Sequence, residues 1–378
     1  MHVLYTILGD KMAKVLLIGP RPNGASTGIR IGFESLLDGF DTNGISYLLV
    51  DIGRGGETRK PGAFNFKRAI LCFMMAMSAW IKIPFVKTVY LTIASSKLGF
   101  LRDFLIIVPS SVFRKRIILH LKGGGYGEFY NEQSKFLKAV IKKTLSKATN
   151  IIVLGELLRD QFEFVTDSET KIKVIPNGLT KGLMPDIGIG KKLLQNDENI
   201  HILYLSNMIK SKGYIDLLEA CAKLKQEGFT NFTCNFCGTF IQTVVDDQNC
   251  STEELADSFS NQIKTLELGD QVIYYGRVSG NKKETLLRQA HLFVLPTYYP
   301  WEGQPISIIE ALAYATPIIS TRYKGIPEEL IDGYNGYFVE AKNPDDIAEK
   351  IKNLLLNPDD YIRMSYNARK HFEENFTR

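Results

Sequence analysis

Two carboxylates eight residues apart, Glu302 and Glu310, stand around a turn made of residues that open helices, Glu302-Gly303-Gln304-Pro305-Ile306. Pro305 suits the first position of a helix, where its missing N–H costs nothing, and the apolar run after it has the matching spacing. A helix starting at 304–306 turns its exposed N–H groups and positive dipole end toward the preceding loop, and Gly303 lets a ligand approach the backbone closely. Such a turn is an anion seat, and phosphate is its natural guest. Glu302 can then reach the reacting end of a ligand and Glu310 a more distant hydroxyl. Spacing alone leaves open the reading of two ordinary exposed helical glutamates.

Three other places carry residues of chemical interest. His120 lies near the end of an apolar run, RIILHL at 116–121, just before Lys122-Gly123-Gly124-Gly125. Open α/β sheets bind ligands at the carboxyl ends of their strands, so a histidine there beside a glycine loop is a candidate ligand contact. Residues 20–28 (PRPNGASTG) form a loop with Gly24 and Gly28. A lone G-x-x-x-G with no third glycine and no ribose-binding acid at dinucleotide spacing excludes an NAD site, and a tight turn is the plain alternative. Cys234 and Cys237 make a C-x-x-C, but no second ligand pair accompanies it, and residues 232–238 read as a strand rather than a zinc or redox centre. The chain contains no D-x-D triplet, so no divalent metal is implied.

The elements that must hold these groups alternate. Residues 292–295 (LFVL) and 317–320 (PIIS) read as buried strands flanking the helix at 306, half of a β-α-β unit. Strands are expected at 14–19, 46–51, 88–93, 116–121, 150–154 and 173–178, and again at 202–205, 232–238 and 271–276. Helices are expected at 29–37, 69–81, 130–147, 157–164, 214–226, 284–290 and 345–356. This alternation predicts two doubly wound α/β domains. Residues 181–199, with Gly182, Pro185, Gly188 and Gly190, lack core periodicity and mark a linker between domains at 1–180 and 200–360. Residues 69–81 (AILCFMMAMSAWI) carry no charge, but thirteen residues at about 1.5 Å each fall short of a bilayer core of about 30 Å. They read as a core helix of the first domain, with contact at a membrane surface as the alternative.

A chain of 378 residues with 45% hydrophobic and 23% charged residues has the size and composition of two globular domains. Five cysteines show no disulfide framework, and residues 1–9 lack the basic start of a signal peptide, so a cytoplasmic location is expected. The net charge of +5 is uneven: residues 1–178 hold 25 Lys and Arg against 14 Asp and Glu, leaving 21 against 27 for the rest. A basic half suits an anionic membrane, a phosphorylated acceptor or nucleic acid, and no nucleic-acid motif accompanies it. Peripheral attachment to the inner face of the plasma membrane is therefore an expectation.

The string E-G-Q-P-I-S-I-I-E-A-L-A-Y-A-T-P-I-I-S resembles the E-x7-E segment of the retaining glycosyltransferases of family 4, the group 1 type. Residues 323–339, with Gly325, Pro327, Glu328, Gly333 and Gly336, resemble that family's G-x-P-E tail, and the likeness covers roughly residues 14–376. The resemblance implies the GT-B fold, two Rossmann-like domains facing a central cleft. It implies sugar transfer from a nucleotide diphosphate-sugar, with a UDP-sugar expected, to an acceptor hydroxyl without a metal. The saccharide acceptor is expected to be lipid-linked, in bacterial envelope polysaccharide synthesis. It further assigns Glu302 to the donor sugar hydroxyls and the developing cation, Glu310 to the ribose and His120 to the sugar. Lys212 would neutralise the diphosphate; Gly28, Gly303, Gln304, Pro305 and Ile306 would line the donor, and Arg277 and Val278 the base. In this family the loop holding Lys212 and Gly213 reads G-R-x-x-x-x-K-G. Asn207 stands at its arginine, which removes one cation. Members commonly end in a helix crossing back to the first domain, which would assign residues 361–378 there. Two rivals are an epimerase of the same fold, turning over donor without acceptor, and a silent binding subunit suggested by Asn207.

Overall fold

A computed structural model describes residues 15–21, 28–53, 66–179, 192–194, 199–243, 246 and 250–377, with only the backbone of 66–68. Gly24, the side chains of Lys67 and Arg68, the loop at 54–62 and most of the expected linker lie outside the described residues. Among the described residues, the chain forms two compact units: unit 1 runs to Asn177 and includes Trp301–Gln304, and unit 2 holds the remainder.

Unit 1 is a parallel sheet in the order β2-β1-β3-β4-β5-β6, with β1 Val15–Gly19, β2 Tyr47–Asp51, β3 Thr88–Thr92, β4 Arg116–His120, β5 Asn150–Val153 and β6 Ile172–Val174. Strands covered on both faces must be apolar throughout, which is why these runs do not alternate. Leu16, Ile18, Leu91 and Leu119 form one core beneath α2 (Phe66–Lys82), α3 (Lys97–Val112) and α5 (Lys135–Leu145). Val15, Leu17, Tyr90 and Ile118 meet Phe33, Leu36 and Phe40 of α1 (Gly28–Thr42) on the other face.

The sequence reading did not anticipate α3. Its run at 104–108 is apolar on every side, and Gly99 and Pro109 lie within it, so no helical stripe stands out. Ser96 nonetheless caps it by accepting from Gly99 N. The single helix expected at 130–147 is two, α4 (Tyr126–Asn131) and α5, because Ser134 starts a new cap on Leu137 N. The helix expected at 157–164 is two single 3-10 turns, Glu156–Leu158 and Asp160–Phe162, with Gln161 accepting from Tyr126 N; the four-residue α6 (Ser168–Lys171) leads into β6.

Unit 2 repeats the plan in the order β12-β11-β10-β7-β8-β9: β7 Ile200–Leu205, β8 Phe232–Cys237, β9 Val272–Gly276, β10 Leu292–Leu295, β11 Ile318–Thr321 and β12 Gly336–Val339. The helices are α7 (Tyr214–Gln226), α8 (Thr252–Thr265), α9 (Gly280–Gln289), α10 (Ile306–Ala313), α11 (Pro344–Leu356) and α12 (Pro358–Asn375). Cys234 and Cys237 are buried on β8, and burial pushes the Cys237 thiol up to about 12. Residues 358–377 belong to unit 2. Met364, Ala368 and Phe372 of α12 are fully buried, Ser365 Oγ donates to Ala315 O and Tyr361 Oη to His291 O.

Candidate active site

In unit 2 the first strand, β7, has β8 on one side and β10 on the other, so the order in which strands are laid across this parallel sheet reverses between β7 and β10. Loops diverge at such a switch point and leave a crevice at the carboxyl ends. The loop after β7 carries Asn207 and Lys212, and the loop after β10 leads to α10. They are joined directly. Tyr298 N donates to Ser211 O at 2.7 Å, and Gly213, at φ +78°, lies so close that a Cβ would come within 2.4 Å of Pro296 O. Lys212 closes a one-turn 3-10 helix, Lys210–Lys212, with its Nζ 5.2 Å from the centre of the Tyr299 ring. Asp246 braces that turn, its Oδ2 accepting from Ser211 N and Oγ.

The helix after β10 begins at Ile306 rather than at Pro305, which is its N-cap with ψ 112°. Proline's fixed φ suits both positions, and here the extended ψ keeps it outside the first turn. Ile308, Ile309, Ala311 and Leu312 bury the helix, and Glu310 is left with its side chain 14% exposed, ion-paired to Lys283 of α9 at 2.5 Å. Asn207 contributes its carbonyl, which accepts from Tyr204 Oη and Ile209 N. Arg277 and Val278 follow β9, the edge strand on the far side of β8.

Unit 1 holds the remaining candidates. His120 ends β4, is 4% exposed, and shares a 2.6 Å hydrogen bond through Nδ1 with Tyr90 Oη on the neighbouring strand. The glycine loop after it meets Trp301–Gln304: Gly124 N donates to Trp301 O at 3.2 Å, and a Cβ on Gly303 would lie 2.8 Å from Gly123 Cα. Asn177 fixes the same segment twice, its N donating to Gln304 Oε1 at 2.6 Å and its Nδ2 to Gln304 O at 3.1 Å. Glu302 is buried within it. Gly28 opens α1, and one turn on, a Cβ at Gly32 would meet Lys122 Nζ at 3.1 Å and Asn177 Oδ1 at 3.4 Å.

Unit 1 thus gathers His120, Glu302, Gly303 and Gln304 with Tyr90, Lys122 and Asn177, while unit 2 gathers Lys212, Pro305 and Ile306 at the switch point with Glu310 and Lys283 on the helices beside it. Tyr90, Asn177, Asp246 and Lys283 had no sequence signal: each acts through a partner 27 to 127 residues away. Lys122 was visible as a cation beside the glycine loop. At the carboxyl end of β2, Asp51 takes the N–H groups of Arg21 and Gly53, so its carboxylate ties the loop after β1. Among the described residues no group of three His, Cys, Asp or Glu side chains is placed to hold a metal ion.

Two doubly wound units of this order define the GT-B fold of glycosyltransferases. Anabaena HepE, solved with UDP, shares it at a TM-score of 0.69, with 16% identity over 97% of this chain and 96% of that one. Residues 189–371 match the family model of glycosyl transferases group 1. An uncharacterized glycosyltransferase of Methanocaldococcus jannaschii is 24% identical over 275 residues, 70% of this chain and 65% of the relative. The N,N'-diacetylbacillosaminyl-diphospho-undecaprenol alpha-1,3-N-acetylgalactosaminyltransferase of Campylobacter jejuni is 25% identical over 177 residues, 47% of this chain and 41% of that protein. Both matches span less than two thirds of the relative's own length.

Proposed function

We propose that the protein is a retaining glycosyltransferase that moves a sugar from a UDP-sugar to a hydroxyl of a lipid-linked saccharide. The observation that carries this is the junction of the two loops at the β7/β10 switch point, which sets the Lys212 loop against the segment entering α10. Breaking the anomeric C–O bond leaves negative charge on the diphosphate. Lys212 and the first N–H groups of α10 are fixed donors for that charge, and groups oriented before the reaction need no rearrangement during it. Glu302, in the same unit as His120, is assigned to the hydroxyls of the transferred sugar and to the positive charge that develops at its anomeric carbon. Glu310 is assigned to the ribose, with Lys283 holding its carboxylate in place. The binding of UDP by HepE and the diphospho-undecaprenol in the Campylobacter enzyme's name support the choice of donor and acceptor class. No metal enters the proposal, and the two-carboxylate scheme of glycosidases is not invoked.

The test is a mass-spectrometric screen of purified protein with UDP-, GDP- and ADP-sugars, each with a polyprenyl-diphosphate saccharide acceptor, preceded by thermal shift. The product's anomeric configuration, read by NMR, is expected to match the donor's. Inversion sinks the retaining assignment, turnover without acceptor favours the epimerase, and no shift with any nucleotide sugar favours the silent subunit.

A further inference from the structure

The uncharged run 69–81, the body of α2, is half-buried rather than a core helix. Ala76 and Ala79 are fully covered beneath it, with Ile83 just beyond its end, while Ile70, Phe73, Met74, Met77 and Ile81 are 38–68% exposed. At about 100° per residue these five fall on one outward stripe roughly 100° wide. Phe85 (70% exposed), Val112 (74%) and Phe113 (53%) extend it past the end of the helix, because Lys115 Nζ bonds Pro84 O and so joins the end of α3 to the end of α2. Single exposed apolar side chains are ordinary, but eight along one helix and its neighbour's end form an interaction surface.

Charge identifies the partner. From Thr58 to Gly127 the chain has twelve Lys and Arg and one acidic residue, Asp103. That one is fully buried, its carboxylate held by Arg102 and by Ala94 N. No carboxylate of this stretch therefore reaches solvent, while Lys87 and Arg114 are exposed and Lys82, Lys115 and Arg116 half-exposed. An apolar stripe in a stretch whose solvent-reaching charges are all cations matches the two layers of an anionic bilayer, acyl chains behind a negative headgroup plane. No helix of the described residues is long and apolar enough to cross a membrane.

We propose that the outer face of α2, continued by Phe85, Val112 and Phe113, docks the protein on an anionic lipid surface. The docking stands on this surface alone, and the lipid-linked acceptor proposed above gives it a purpose. The test is co-sedimentation of the full chain with phosphatidylcholine vesicles, with and without phosphatidylglycerol, at low and high salt. The wild type is expected to bind the phosphatidylglycerol vesicles and to be released by salt. Phe73→Ser/Met77→Ser/Ile81→Ser, made at exposed positions, is expected to weaken binding roughly tenfold or more while UDP binding and thermal midpoint are retained. Arg114→Gln/Arg116→Gln is expected to lose the preference for phosphatidylglycerol. A wild type that ignores the vesicles, or a triple variant that binds as well as wild type, overturns the proposal. A wild-type dimer that the triple variant abolishes, without vesicle binding, assigns the face to a second copy instead. UDP binding is read separately, so failure of docking and failure of the transferase reading are distinguishable.

Discussion

Gly303→Ala tests whether the close approach of residues 301–304 to the glycine loop matters for turnover. The new Cβ would sit 2.8 Å from Gly123 Cα, 3.1 Å from Gly123 C and 3.4 Å from Gly124 N. Ordinary contacts begin at 3.4 Å, so the strands of backbone must part by 3.4 − 2.8 = 0.6 Å. No flexible side chain can absorb this, since both sides are main chain tied by Gly124 N to Trp301 O and by Asn177 to Gln304. Overpacking of this kind costs about 1–3 kcal/mol, a fall of only a few degrees in Tm for a unit of this size. Turnover should suffer more, because a reacting group misplaced by about 1 Å loses about 10²-fold; for Glu302, the adjacent residue, roughly tenfold is expected. The assay is sugar transfer alongside differential scanning fluorimetry. Gly269→Ala, where a Cβ meets nothing within 4 Å, is the control. Wild-type turnover in Gly303→Ala would refute the reasoning.

Lys212→Ala is expected to weaken UDP binding by about 1.5–3 kcal/mol and leave uridine binding unchanged by calorimetry; equal losses would mean that Lys212 does not touch the phosphates. Glu310→Gln and Lys283→Met should show a coupling of about 1 kcal/mol in a double-mutant cycle on stability, and Glu310→Gln should lower UDP affinity while Lys283→Met alone lowers it less. Lys192 donates to Leu287 O, Ala290 O and Thr316 Oγ1, so Lys192→Met, which strands these acceptors, should cost about 3 kcal/mol in chemical denaturation. Burial pulls the Lys192 pKa from 10.5 to about 7. Between those values the unfolded chain holds a proton that the folded one lacks, so the wild type should gain stability as pH rises from 7 toward 10, and Lys192→Met should lack that increment.

Strand runs, the turn before α10 and the Lys212-Gly213 pair could be read from sequence because they are local. An apolar run of four to six residues records burial on both faces, and glycine or proline at a turn records the backbone angle it must adopt. Helix α7 was placed at Tyr214–Gln226 for the same reason, its apolar spacing being regular. Where local signals conflicted, sequence was silent or wrong: α3 hides its stripe in a wholly apolar run, and Ser134 splits a basic periodic segment by capping a second helix. Tertiary structure alone decided that β7 lies beside β10, since strand order is set by which faces the crossover helices cover. That adjacency brings Ser211 to Tyr298 across 87 residues. It also took the folded chain to pair Glu310 with Lys283, to set Tyr90 on His120 and to bury Asp103, the one acid of a basic stretch. A side chain's partner depends on the packing of whole elements, and no spacing along the chain encodes it.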